Sequence, residues 1–490
     1  MEAILFGTGQ ISKKALPFIE AQYHILYAVD NNDEIWGTTF QSYEVKSPDN
    51  IEKCDCNIII ASTKYDMDIV KQLQQIGIGQ GRIYLCRSFQ TDDTYQYEIY
   101  PLLEENVLHT GIPLVHYDLC HTKDSESSFK KVLVACSFFS SYTKQVLENI
   151  SKRYKDIEFS LLTNAKESKE NIASEQLKHI YYFQTMADLK TILEELPIYD
   201  SIQLLWIEQE WSYFYKSIRK KCRRLNLNVG GSDFYRLSIA KREFKRALIA
   251  CADTITAETI KTIEDFELFY RQDIKGKMGL LPFGIEVLEY INQNRGIPKD
   301  EIREKFHIPK DKIVVTCGHN ANNAHQHVKI VEALNRLSET IKQQVVFVFP
   351  MTYPQGMDDY IDTIRDRLEA LGAEYVILTE YMDFQNMAQY ALLSDIMLHV
   401  QTTDQLSSTM LEEMYAGSIV IAGSWLPYQS LHKMGIYFYD VHKVSDITHT
   451  LEEIVNDIDT NKQKCKTNSE IIWKHSSWEV LASKWHALWK

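Results

Sequence analysis

The sequence predicts an α/β protein made of three successive Rossmann-like units, and three observations predict it. Short apolar runs, of strand rather than helix length, recur along the chain, as at Ala3–Phe6, Val132–Cys136, Ile313–Cys317 and Val345–Phe349. Amphipathic segments of helical period separate many of these runs, so strand and helix alternate and the sheets are parallel. The runs often end in glycines, hydroxyls or carboxylates, the residue types that open α/β sheets place at their carboxyl edge.

The most informative stretch is Leu398 to Gly423. Leu398 and Val400 close an apolar run that begins at Ile396. Thr402, Thr403, Asp404, Gln405, Ser407 and Ser408 then crowd a turn with helix-capping residue types. Met410, Leu411, Met414 and Tyr415 fall at helical spacing, Gly417 suits the helix stop, and Ile419–Ile421 makes the next buried strand. A helix start lined with hydroxyls and N–H groups attracts anions. Asp404 precedes this helix and Glu412 lies inside it.

Composition narrows the function. The 490 residues are 45% hydrophobic and 24% charged, enough for several globular domains, and the net charge of −14 argues against nucleic acid as a partner. Nine scattered cysteines suit free thiols in a reducing compartment, with Cys54-Asp-Cys56 the only close pair. The N-terminal residues lack the pattern of a signal peptide, and no apolar run reaches membrane-spanning length. From these features a cytoplasmic protein is expected.

Residues 1–95 form the first unit. A strand at Ala3–Phe6 runs into Gly7-Thr8-Gly9-Gln10-Ile11-Ser12, a phosphate-type loop with serine at the third glycine position. A second strand ends at Asp30, placed to meet a ribose hydroxyl. Gly7, Gly9 and Asp30 are therefore candidates for an accessory nucleotide loop, against a ligand-free docking role. Residues 96–128 carry few periodic apolar positions and are expected to be a linker.

The second unit covers residues 129–290. Two of its strands run into loop carboxylates, Glu208 after Ser201–Trp206 and Asp233 after Leu227–Val229. Both are candidates for chemistry, and both read equally well as surface carboxylates. Eleven basic residues between Lys216 and Arg246 reverse the chain's acidic balance, and Trp206, Trp211, Tyr213, Phe214 and Tyr215 precede them. This mixture fits an anionic membrane surface or a lipid-pyrophosphate acceptor, or else a solvated helix face.

The third unit covers residues 291–490. Its first strand ends in Gly318-His319-Asn320-Ala321-Asn322-Asn323-Ala324-His325-Gln326-His327, a polar loop that opens a helix and can hold an anion. No further ligand lies at metal spacing beside His325 and His327, so no metal is expected. Tyr353 follows the next strand. An aromatic-rich last helix, with Trp478, Trp485 and Trp489, is expected to pack back across a domain interface.

Several of these stretches resemble known families. The FGTGQ, VDNNDEIWGTTF and CNIIIAST segments are similar to small Rossmann-like domains fused to bacterial polysaccharide-biosynthesis proteins. The tandem second and third units resemble the GT-B glycosyltransferase fold, preceded here by a third, small Rossmann-like domain. LPFGIE resembles the segment before the hinge of those enzymes. DQLSSTMLEEMYAGSIVI resembles the E-x7-E nucleotide-sugar segment of retaining glycosyltransferases, with Asp404 in place of the first acid. GSDFYR, the GHN loop and FVFPMTYPQGMDDYI are similar to the inverting 4-acetamido-4,6-dideoxygalactose (Fuc4NAc) transferases, which act on a lipid-linked acceptor. The two likenesses imply opposite stereochemistry.

The resemblance implies a metal-independent transferase with no cofactor, using a nucleotide-diphosphate sugar as co-substrate and a lipid-linked or glycan hydroxyl as acceptor. It makes residues 129–290 the acceptor side and 291–490 the donor side, with a C-terminal crossover helix. Gly318, Asn320, His325, His327, Ser407 and Ser408 would line the two helix starts around the diphosphate. Glu412 would take the ribose hydroxyls, Asp404 would contact the sugar or a nearby N–H, Gln405 would belong to the donor site, and Tyr353 would pack on base or sugar. In an inverting enzyme Asp233, or after it Glu208, would deprotonate the acceptor. The expected setting is peripheral, at the inner face of the membrane. A non-catalytic nucleotide-sugar-binding subunit is the alternative.

Overall fold

The computed structural model describes residues 1–53, 55–91, 94–108, 115–118, 129–164 and 172–490. Twenty-one strands form three sheets among these residues. Continuous apolar runs explain why the central strands are parallel and buried on both faces.

The first sheet holds β1 (Glu2–Phe6), β2 (His24–Val29), β3 (Thr39–Phe40), β4 (Tyr43–Lys46), β5 (Asn57–Ile60), β6 (Ile83–Thr91) and β7 (Thr94–Pro101), in the order β3-β4-β2-β1-β5-β6-β7. Its edge strands β3 and β7 are antiparallel to their neighbours, and its other pairings are parallel.

The second sheet holds β8 (Val115–Asp118), β9 (Lys130–Cys136), β10 (Ile157–Thr163), β11 (Leu177–Tyr182), β12 (Tyr199–Leu205), β13 (Cys222–Val229), β14 (Thr254–Ala257) and β15 (Met278–Leu280). Its order is β15-β14-β13-β12-β9-β10-β11-β8, with only β8 antiparallel. The third sheet holds β16 (Ile313–Cys317), β17 (Val345–Pro350), β18 (Glu374–Leu378), β19 (Ile396–His399), β20 (Ile419–Gly423) and β21 (Tyr439–Val441), ordered β18-β17-β16-β19-β20-β21.

In the second and third sheets the parallel strands start in the middle, wind outward to one side, then cross to the other. The strand order reverses between β9 and β12 and between β16 and β19, and open α/β sheets bind ligands at the carboxyl edge of such a switch point.

Two sequence expectations change here. The stretch from residue 96 is not free of regular structure: β7 pairs with β6 along its whole length, and β8 joins the second sheet. Its alternating Tyr95, Tyr97, Ile99 fits an edge strand, whose polar residues face outward. The rest of the expected linker, residues 109–114 and 119–128, lies outside the described residues. Nor are all cysteines free thiols. Cys56 is disulfide-bonded, while Cys86, Cys136, Cys222, Cys251, Cys317 and Cys465 are free.

The end of the chain returns to the second unit. Helix Trp478–Leu488 buries Trp478, Trp485 and Trp489 in the core under β9 and β10. Each indole N–H finds an acceptor there: Trp478 on Gln145 Oε1 at 3.1 Å, Trp485 on the Pro282 carbonyl at 3.1 Å and Trp489 on Gln203 Oε1 at 3.2 Å. Gly284 leaves room for the crossing, since a Cβ there would stand 2.3 Å from the Trp478 ring. Among the described residues no helix is long and apolar enough to cross a membrane.

Candidate functional site

The carboxyl edges of the second and third sheets face one cavity of about 750 Å³. Phe138 and Tyr142 reach it from the loop and helix after β9, and Trp206 from the end of β12. His319, Tyr353 and Tyr381 reach it from the loops after β16, β17 and β18, and Ser408 and Glu412 from the helix after β19. The cleft is bridged where Tyr142 Oη lies 2.9 Å from Ser408 Oγ. A second approach sets Gly231, with φ +88°, against Gln405: a Cβ at Gly231 would stand 2.6 Å from Gln405 Oε1. Both polar atoms of that Gln405 side chain are buried without a partner.

On the donor side the backbone binds the two loops together. Gly318 N–H donates to the Leu398 carbonyl at 3.1 Å, Thr402 N–H to Ala324 O at 2.9 Å, and Gln326 Nε2 to Val400 O at 2.6 Å. Gly318 has φ +71°, and a Cβ there would stand 2.7 Å from His327 Nε2, so glycine is required. Asn320 Oδ1 accepts from Asn322 N–H at 2.8 Å. Ser407 caps helix Ser408–Ala416 by accepting from Met410 N–H at 3.1 Å, and Gly417, at φ +114°, ends it.

Four imidazoles cluster behind these loops. The His319 ring lies 4.1 Å from His325 and 5.8 Å, nearly parallel, from His399, while His325 lies 5.6 Å from His327. Burial holds His319 far below the usual histidine range, His325 at about 3 and His327 at about 4, and neighbouring imidazoles deepen the first two. His319 Nδ1, His325 Nδ1, His327 Nε2 and His399 Nδ1 are buried without partners. Among the described residues no three His, Cys, Asp or Glu side chains are arranged to hold a metal ion. The sequence reading paired only His325 and His327; the fold adds His319 and, from a separate strand, His399.

Asp404 belongs to this group. Its Oδ2 accepts from Tyr428 Oη, its Oδ1 accepts from Gln405 N–H at 2.9 Å, and His399 Nε2 lies 3.6 Å away. Burial pushes its carboxyl up, but His399, Tyr428 and the N–H bond outweigh that and hold it below the ordinary aspartate range.

Glu412 and Glu413 both line the cavity. Burial, with Glu413 beside it, raises the pKa of Glu412 to about 8. Glu413 Oε2 accepts from Ser418 Oγ at 2.8 Å, and burial lifts it also to about 8.

The two acceptor-side carboxylates do not line the cavity. Asp233 is buried with its Oδ2 on the Ile207 N–H at 2.7 Å, and its Oδ1 has no partner; burial raises its pKa. Lys245 lies alongside, donating to the Asp233 carbonyl at 2.9 Å and to the Ile207 carbonyl. Glu208 precedes helix Gln209–Tyr213, and burial together with Glu210 raises it to about 7. A third carboxylate, Glu258 at the end of β14, escaped the sequence reading because no motif marks it. Burial raises it to about 8, with Asp404 and Asp233 adding to the effect.

In the first unit, Asp30 is occupied by its own loop. Its Oδ2 accepts from Thr8 N–H and Thr8 Oγ, both at 2.8 Å, and its Oδ1 from Asn32 N–H at 3.0 Å. Gly7 takes φ +101° as a loop residue, and Gly9 precedes helix Gln10–Glu20 with extended backbone. Ser12 Oγ donates to the Ala61 carbonyl at 3.0 Å, across the switch point between β1 and β5.

The basic run is largely spent inside the molecule. Lys241 pairs with Asp66 of the first unit at 2.9 Å, Arg219 with Asp253 at 3.5 Å, Arg223 with Asp200 at 3.5 Å, and Arg246 with Glu243 at 2.8 Å. Lys221 donates to the carbonyls of Glu194 and Leu196, both at 2.7 Å. With Ser238 on Asp68 and Arg87 on Glu210, part of this surface docks the first unit onto the second.

Comparison with known proteins follows this division. Residues 298–470 match the model of the glycosyl transferases group 1 family, and residues 1–84 match the C2185-like N-terminal family. No curated protein matches in sequence. A glycosyltransferase from Rickettsia africae superposes with a TM-score of 0.60 at 13% identity, covering 74% of this chain and 98% of its own. Sucrose-phosphate synthase from Thermosynechococcus elongatus gives 0.58 at 13% identity, covering 74% and 98%. Anabaena Alr3699/HepE, solved in complex with UDP, gives 0.57 at 12% identity, covering 74% and 99%. Residues 298–470 thus match the group 1 glycosyltransferases by sequence, and the second and third units share the GT-B glycosyltransferase fold.

Proposed function

We propose that the chain transfers a sugar from a nucleotide-diphosphate-sugar donor to a hydroxyl acceptor, as a step in bacterial cell-surface polysaccharide or glycolipid synthesis. The observation that carries the reading is the family match of residues 298–470, whose carboxyl-edge loops open onto the cavity shared with the second unit. The HepE structures hold UDP and UDP-glucose, which makes uridine donors the first to test.

In this reading Gly318, Asn320 and the Ser407–Ser408 helix start meet the departing diphosphate with fixed N–H and hydroxyl dipoles, without a metal. His325 and His327 support the first loop from behind. Glu412 accepts the ribose hydroxyls, Asp404 and Gln405 flank the sugar, and Tyr353 packs on the base or sugar. The acceptor is a lipid-linked or glycan hydroxyl entering past Phe138 and Trp206. A base takes its proton as the acceptor oxygen bonds to the anomeric carbon, and the bond to the diphosphate oxygen breaks with its electron pair leaving on the nucleoside diphosphate. Asp233 is the first choice for that base and Glu208 the second. Glu258 joins them because it ends a neighbouring strand on the same carboxyl edge.

A thermal-shift screen of nucleotide sugars on the full chain, followed by turnover with a hydroxyl acceptor, tests the reading. A nucleotide sugar that raises the melting temperature and is consumed supports it, whereas binding with no turnover under any acceptor favours a non-catalytic binding subunit. Asp233→Asn is expected to lower turnover at least about 100-fold if Asp233 is the base; full retained turnover removes it from the mechanism.

A further inference from the structure

The loops facing the proposed donor hold no permanent positive charge. Neither Gly318–His327 nor Val400–Thr409 contains a lysine or arginine. The imidazoles behind them do not fill the gap. A nearby anion raises a base by about 1–3 pKa units. From about 3, such a rise leaves His325 mainly neutral at pH 7, and from about 4 it brings His327 at most to about half protonation. Burial and the same neighbouring imidazoles hold His319 well below the usual histidine range, and Asp404 is the charge that opposes them at His325. Besides tyrosines, the other ionisable side chains of the cavity apart from His319 and Arg236 are the carboxyls Glu286, Glu412 and Glu413, which bring no positive charge. A sugar diphosphate carries two negative charges, and burying them without a counter-charge is costly.

One residue lining the cavity is a permanent cation, Arg236. It is exposed, and among the described residues its guanidinium makes no hydrogen bond, ion pair or ring contact. Its neighbours in the basic run are engaged: Arg242 sits over Phe234 at 4.5 Å, and Arg246 pairs with Glu243 and Asp273. The segment that ends in Arg236 also meets the donor side directly, where Gly231 packs on Gln405. A guanidinium offers a planar fork of donors suited to two phosphate oxygens at once.

We propose that Arg236, from the acceptor-side unit, supplies the counter-charge for the donor's diphosphate across the cleft. The inference rests on the donor-site reading above. Donor binding then joins the two units through an ionic contact, while the third unit alone binds the nucleoside and supplies only dipoles to the phosphates.

Isothermal titration of the full chain with UDP, inorganic pyrophosphate and uridine, for wild type, Arg236→Gln and Arg236→Lys, tests this. Arg236→Gln is expected to weaken UDP and pyrophosphate about 10- to 100-fold and leave uridine within about twofold. Arg236→Lys is expected to recover part of the loss, because it keeps the charge without the fork. Wild-type UDP affinity is expected to fall more steeply with added NaCl than that of Arg236→Gln. UDP affinity in Arg236→Gln within about twofold of wild type overturns the proposal, and titration in buffers of different ionisation enthalpy would then show proton uptake by the imidazoles. If the wild type binds neither UDP, other nucleoside diphosphates nor pyrophosphate, the donor-site reading itself fails.

Discussion

Glu412 gives the donor site a pH dependence that can be worked out in advance. Burial, with Glu413 beside it, holds its pKa at about 8. A carboxylate that accepts two ribose hydroxyls must be ionised, and at pH 7 only about one molecule in ten is. Binding must first remove the proton. Apparent affinity is therefore expected to rise about tenfold from pH 6 to 7, about fivefold from 7 to 8, and less than twofold from 8 to 9. The assay is calorimetric titration with a UDP-sugar, whose diphosphate does not titrate in this window. Glu412→Gln is expected to bind weakly with a flat profile. Glu413 titrates in the same range but bonds to Ser418, so Glu413→Gln is expected to keep the slope. A flat wild-type profile between pH 6 and 9, with weakened binding in Glu412→Gln, would refute an ionised Glu412 as the ribose acceptor.

Two further outcomes concern stability. Glu413 is raised far above its unfolded value, so the folded state binds an extra proton, and this stabilisation is lost as pH climbs from about 4.5 to about 8. Glu413→Gln is expected to lie within about 1 kcal/mol of wild type at pH 5 and to gain on the order of 4 kcal/mol over it at pH 8, read by calorimetric melts across that range. Asp30→Ala removes the acceptor for Thr8 N–H, Thr8 Oγ and Asn32 N–H and is expected to cost the first unit about 1–3 kcal/mol. Faster hydrogen exchange at the Thr8 and Asn32 amides, with unchanged nucleotide affinity in the main cleft, would mark Asp30 as a loop anchor.

The donor-side elements were legible because each carries local signals. Between Ile396 and Gly423 the apolar runs, the Ser407 cap and the Gly417 stop all agree, and strand, helix and strand form where those signals stand. Edge strand β7 was not legible, since an outward-facing strand shows polar residues like those of a loop. The fourth imidazole, His399, sits 72 positions after His327 and joins the cluster only because β16 and β19 are neighbours in the sheet. Asp30 occupies the position of a ribose ligand in sequence, but its carboxylate oxygens are taken by adjacent backbone and side-chain donors. A motif fixes where a residue sits; it does not show which neighbours claim its oxygens.

The indoles of Trp478, Trp485 and Trp489 bear on how the chain acquires its structure. They fill the core beneath β9 and β10, yet they come after every residue of the third sheet. The acceptor-side unit therefore stays unfinished, with an open aromatic socket, until nearly two hundred later residues have been made. The third unit can complete its sheet first, and the last helix then closes the second. A chain shortened before Trp478 would lose that closure even though each strand of both sheets is still present.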